Sequence, residues 1–104
     1  MKLITKAIAK ATPRLYANED KDTHSTMVTA KFFFPYGIGT WYMTELDAET
    51  GMAFGLCDLG FPELGYFTIA ELEANRIERD IHFTPQTLHS IMEGGAKPRC
   101  KALS

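Results

Sequence analysis

Three apolar, β-branched and aromatic runs in quick succession confine this chain to a small set of folds. Residues 27–34 (MVTAKFFF) end at Pro35, residues 40–47 (TWYMTELD) follow a PYGIG turn, and residues 52–57 (MAFGLC) follow AETG. Such side chains suit a pleated surface, and a proline with no N–H for the ladder closes the first run. Connections this short leave no room for a crossover, so successive strands are expected to pair as antiparallel hairpins. Gly51 stands where the second turn needs a left-handed residue.

Helical signals flank this meander. Leu3, Ile4, Ala7, Ile8 and Ala11 recur at helical spacing, with no clear N-cap, and Pro13 stops the run. Residues 17–26 (ANEDKDTHST) form a polar surface loop, and 64–67 (LGYF) a short fourth strand. Thr68 and Glu71 make a capping box for a helix that points Ile69 and Leu72 inward. Residues 77–83 (IERDIHF) alternate, with Ile77, Ile81 and Phe83 on one face and Glu78, Asp80 and His82 on the other. Thr84 and Pro85 are placed to cap and start a last helix carrying Leu88, Ile91 and Met92, which Gly94 and Gly95 end. The expected fold is α+β: an antiparallel sheet of about four to five strands with a meander core and two to three helices on one face. Residues 1–93 are expected to form a single globular domain, and 94–104 a basic flexible C-terminal tail.

Composition excludes several classes. Hydrophobic residues are 45% and charged residues 23% of 104, a globular balance, and no apolar run reaches the ~20 residues of a membrane span. Cys57 and Cys100 form no CxxC pair or disulfide framework, which suits a reducing cytoplasm, and no signal-peptide core is present. Charge is segregated: residues 1–16 balance at +4, residues 94–104 at +3, and residues 17–93 at −9. An acidic body of this kind repels phosphate backbones, so no direct duplex binding by it is expected, and it attracts basic protein surfaces.

The segments LITKAIAK, KFFFPYGIGTWYMTELD, ELGYFTIAELEANR and IERDIHFTP, in this order, resemble the domain of unknown function 2958 family over roughly residues 1–93. The TWYMTELD and ELGYF-xx-AELE stretches are the specific parts. The chain departs from the family after Arg76, where the family has several more residues, often including glycine. The resemblance implies a context of conjugative plasmids and other mobile elements, where small proteins that blunt host defences accumulate. It implies no catalytic residue set.

Glu45, Asp47 and Glu49 sit at i, i+2 and i+4, so a continuing strand would place them on one face about 6.8 Å apart per step, in the manner of a row of phosphates. That row, with Tyr36, Trp41 and Tyr42 around the 35–42 turn, is the candidate partner-binding surface. Glu78, Asp80 and His82 offer a weaker constellation for a metal or a general base, because ligands two apart on one strand rarely converge on one ion. No GxGxxG, P-loop, GxSxG or HExxH pattern is present, so no cofactor and no catalytic residue are assigned. The expected function is a non-enzymatic protein-binding module of the cytoplasm. Its partner is a basic or nucleic-acid-handling protein, with a second copy of the chain as another candidate. With the mobile-element context, the specific form is an anti-CRISPR or anti-restriction inhibitor. The alternatives are an accessory factor in plasmid transfer or DNA handling, and a small metal-dependent hydrolase using Asp80 and His82.

Overall fold

The computed structural model describes residues 2–94; the basic stretch 95–104, with Cys100, lies outside the described residues. In chain order the elements are α1 (Lys6–Ala11), a 3-10 turn (Thr23–Ser25), β1 (Met27–Val28), β2 (Ala30–Phe33), β3 (Thr40–Leu46), β4 (Met52–Asp58), β5 (Pro62–Thr68), α2 (Ile69–Ala74), β6 (Glu78–Arg79), β7 (Gln86–Thr87) and α3 (Leu88–Gly94). β5-β4-β3-β2-β6 form one antiparallel sheet, and β1 pairs with β7 in a second. The fold is α+β, and none of the described helices is long and apolar enough to cross a membrane.

Local signals act where expected. Gly51 is left-handed (φ 81°), and the Thr68 Oγ1 accepts the Glu71 N–H at 3.1 Å to cap α2. Other boundaries follow tertiary pairing. The 27–34 run splits at Thr29, because β1 turns away to pair with β7 while β2 pairs with β3 and β6. That pairing also consumes Gln86 and Thr87, so α3 starts at Leu88, not at Pro85, and the Thr87 Oγ1 accepts the Ser90 N–H. The expected strand 77–83 is only Glu78–Arg79, since Asp80 turns the chain by accepting the His82 N–H at 2.9 Å. Thr5 supplies the α1 cap not evident from sequence, accepting the Ile8 N–H at 3.1 Å.

Both faces of the sheet are covered. Ala30, Phe32, Met43, Leu46, Ala53 and Phe67 pack on one side with Leu3, Ile69, Leu72 and Ile77, and Ile4 and Ile8 join them. Val28, Tyr42 and Leu56 pack on the other side against Leu88 and Ile91 of α3. Thus α1 and α2 share one face, and α3 lies on the opposite one.

The register of β3 sets these faces. Met43 pairs with Gly55 but Glu45 pairs with Phe54, so Thr44 is the extra residue of a β-bulge. The bulge breaks strict alternation: Met43 and Leu46 both reach the α1/α2 core, while Glu45 emerges on the α3 face. Beside it the β3 backbone lies so close to β4 that a Cβ on Gly55 would collide with the Tyr42 carbonyl oxygen. Gly65, opposite Gly55 on β5, has nothing within 4 Å of the same added atom.

α2 ends in a Schellman arrangement, with the Ile77 N–H donating to the Leu72 carbonyl at 3.0 Å. Arg76 fills the left-handed position (φ 62°) that glycine usually takes there.

Two stability outcomes follow. Gly55→Ala is expected to lower unfolding free energy by about 3 kcal/mol or to prevent folding, while Gly65→Ala stays within about 0.5 kcal/mol, both read by urea denaturation. Arg76→Gly is expected to stabilise by about 1 kcal/mol, because glycine takes left-handed backbone without the Cβ penalty.

Candidate functional site

The two turns β2–β3 and β4–β5 lie at the same end of the sheet, because Thr40 at the start of β3 pairs with Asp58 at the end of β4. They are neighbours: a Cβ added to Gly39 would reach to 3.5 Å from a Leu59 methyl. Hydrogen bonds close both turns. The Phe34 N–H donates to the Gly39 carbonyl at 2.9 Å, and the Gly60 N–H donates to the Asp58 carboxylate at 3.1 Å. With their backbones tied back, the turns push apolar side chains outward: Tyr36 is 72% exposed, Ile38 66%, Leu59 62% and Phe61 81%. Phe34 stacks edge-on against Tyr36 at 5.7 Å and joins the apolar end to the core.

This end belongs to a stretch of one charge sign. Residues 32–75 contain seven acids and no lysine, arginine or histidine. Glu45 and Asp58 of these are buried, whereas Glu49, Glu63, Glu71 and Glu73 are exposed. Of the exposed acids, Glu63 lies in β5 two residues after Phe61, while Glu49 lies in the turn at the other end of the sheet and Glu71 and Glu73 lie on α2. An exposed apolar cluster with an acid beside it is suited to a partner surface with an apolar centre and a basic neighbour.

The sequence-expected acidic row is not formed. β3 ends at Leu46, so the three carboxylates do not share a strand face. Glu45 is only 5% exposed and holds the 14–18 segment: its Oε1 accepts the Tyr16 N–H at 2.8 Å and its Oε2 the Asn18 N–H at 3.1 Å. Asp47 begins the β3–β4 turn, accepting the Glu49 N–H at 3.0 Å and the Thr50 N–H at 3.4 Å. The Glu49 N–H and then the Thr50 hydroxyl hold the Asp47 carboxyl below its usual value. Glu49 points from this turn into solvent. Of the three aromatic candidates, Tyr36 is in the apolar end and Trp41 is half-buried against the α1/α2 core. Tyr42 is buried under α3, with Lys31 5.9 Å above its ring, and takes no part in an exposed patch. Ile38, Leu59 and Phe61 were missed. Their signal is apolar residues inside glycine-rich turns, where turn chemistry itself predicts exposure.

The Glu78, Asp80 and His82 row is also dispersed. The Asp80 carboxylate faces Lys31 at 3.6 Å and the His82 N–H, and His82 is exposed. Among the described residues, no three of His, Cys, Asp or Glu are grouped to hold a metal ion.

Two clefts flank β5. On the α3 face, Tyr16, Asn18, Glu45, Phe54, Leu64 and Tyr66 line a volume of about 270 Å³. Tyr16 reaches it from left-handed backbone (φ 69°), with its ring centre 6.4 Å from that of Tyr66. The neighbouring Tyr16 phenol, then burial and the nearby carboxylates Glu45 and Glu19, raise the Tyr66 phenol above its usual value. On the α1/α2 face, Trp41, Cys57, Glu63, Phe67, Glu71 and Leu72 line a second volume of about 430 Å³.

Burial, and next the Glu63 carboxylate, push the Cys57 thiol up to about 11. The folded chain therefore binds this proton more tightly than the unfolded chain. Its contribution to stability is present below the ordinary thiol value and is lost as pH rises toward about 11. With Cys100→Ser to isolate it, Cys57 is expected to react with iodoacetamide at pH 8 roughly 100-fold more slowly than free cysteine, and at the ordinary rate once unfolded in urea.

No curated protein and no solved structure matches this chain. Residues 3–98 match the family described as Protein of unknown function (DUF2958). The match spans nearly the whole sequence and includes both clefts and the apolar end, so the chain belongs to the DUF2958 family.

Proposed function

We propose that this chain is a non-enzymatic protein-binding module that docks a basic, nucleic-acid-handling protein through the apolar end of its sheet. The observation that carries the reading is the gathering of Tyr36, Ile38, Leu59 and Phe61, each more than 60% exposed, at one end of the sheet and within a stretch of sequence whose charged residues are all acids. Large exposed apolar side chains raise the free energy of a lone soluble chain, and a partner that covers them recovers it. Aromatic anchors with a charged rim are the usual source of interface energy and of fast encounter. In its specific form the partner is a CRISPR effector or a restriction enzyme. That form rests on the mobile-element context implied by the family resemblance.

The test is capture from a nuclease-treated bacterial lysate containing these defence systems, using tagged wild-type chain and a Tyr36→Ser, Phe61→Glu variant. Both side chains lie outside the core, so the variant is expected to keep the wild-type melting temperature within a few degrees. The expected result is stoichiometric capture of a basic protein by wild type, reduced at least tenfold by the variant and weakened by salt. Equal capture by both proteins, or a partner that leaves with the nucleic acid, overturns the reading.

A further inference from the structure

β5 is an edge strand. It pairs with β4 along seven consecutive residue pairs from Met52↔Thr68 to Asp58↔Pro62, and no other strand among the described residues lies beyond it. Its outer row of backbone N–H and C=O groups is therefore a template for one more strand. Proteins usually blunt such an edge with a bulge, a proline, a lysine or a covering element. Here Pro62 and Glu63 protect only the first residues, and the register continues unbulged through Leu64, Gly65, Tyr66 and Phe67. The opposite edge of the sheet, β6, is two residues long.

The two clefts give this edge its meaning. Successive side chains of a strand point to opposite faces, so a strand added beside β5 would send alternate residues toward the α3 face and the α1/α2 face. On the α3 face it would meet the cleft walled by Phe54, Leu64 and Tyr66, where Glu45 is taken by two backbone amides and the second carboxylate of the lining, Glu19, is accompanied by the cation Lys21. That cleft suits an apolar side chain. On the other face it would meet the cleft that Glu63 and Glu71 border with no basic residue among its lining. That cleft suits a lysine or arginine. Backbone pairing with pockets for alternate side chains is a known mode of peptide recognition.

We infer that β5 accepts an extended segment of a basic partner protein as an added antiparallel or parallel strand, with apolar and basic side chains alternating into the two clefts. The inference rests on the protein-binding reading above and specifies how such a partner is held. A second copy of the chain is the poorer occupant: it would set Glu63 and Glu71 near another acid-only surface, and like charges at a dry contact oppose pairing.

The probe is a synthetic peptide of alternating lysine and valine, with an alternating glutamate and valine peptide as control, titrated into the full chain and read by amide NMR. The expected result is saturable shifts in residues 62–68 and in both cleft linings, at least tenfold slower hydrogen exchange within 62–68, and no response to the acidic peptide. Leu64→Lys with Tyr66→Lys, at exposed positions, is expected to abolish these shifts while the free spectrum stays dispersed. Shifts confined to the 34–39 and 59–61 turns overturn strand addition and leave the apolar-end reading standing. No saturable shift overturns it as well. Protection of 62–68 that grows with protein concentration alone assigns the edge to a second copy and also overturns the inference. Loss of partner capture in the Tyr36→Ser, Phe61→Glu variant tests the underlying reading separately.

Discussion

The contact of the β3 backbone with Gly55 is the constraint on which the rest of this structure depends. A strand with one side buried has no freedom of register, since a slip of one residue exchanges its faces. In β3 that exchange happens once, at Thr44, and deliberately. Upstream of the bulge Tyr42 faces α3; downstream Leu46 faces α1 and α2, with Met43 already on that side. Without the extra residue Glu45 would project into the α1/α2 core, an unpaired buried charge. With it, Glu45 turns to the other face and finds two amides of the 14–18 segment. The bulge needs the close backbone approach, and the approach needs a residue without Cβ at position 55.

From that point the shape of the surface follows. Glu45 anchors the segment that carries Tyr16 to Tyr66, so the α3-side cleft exists because of the bulge. The same register pairs Thr40 with Asp58 and so brings the two apolar turns together. Helices cover the middle of both sheet faces, while the β5 edge and the turn end receive nothing from the described residues. Among the described residues, covering two faces with six- and seven-residue helices leaves no segment for the periphery.

What was readable in the sequence was local. The hairpin order, the Gly51 turn and the Thr68 capping box are short-range and appear as expected. What was not readable depended on partners distant in sequence. TWYMTELD does not alternate strictly, since Trp41, Tyr42 and Met43 are apolar in succession and Thr44 and Glu45 polar together, but only the pairing with β4 places the insertion at Thr44. A second signal was Gly55, a glycine inside an otherwise ordinary strand run, which is a mark of close backbone approach. Reading Glu45, Asp47 and Glu49 as one row assumed unbroken alternation and a strand longer than its turn permits. Tyr42 is a surface candidate only if all helices share one face of the sheet; α3 takes the other face instead, and its Leu88 and Ile91 bury the ring. Tyr36 was legible from its turn, and Ile38, Leu59 and Phe61 obeyed the same rule.

The segregation of charge bears on why an open edge and an apolar end are tolerated. Either feature on a neutral chain favours association with further copies, because the same surface is always available on a neighbour. Here every residue from β3 through α2 that carries charge at neutral pH carries it with the same sign. Two copies meeting through this region would bring carboxylates together without a cation between them, and the repulsion rises as water is excluded. A partner of opposite sign meets the reverse condition at the same surface. Under the proposed function, the acids that oppose self-association would also favour a basic partner, so that one distribution of charge would serve both ends.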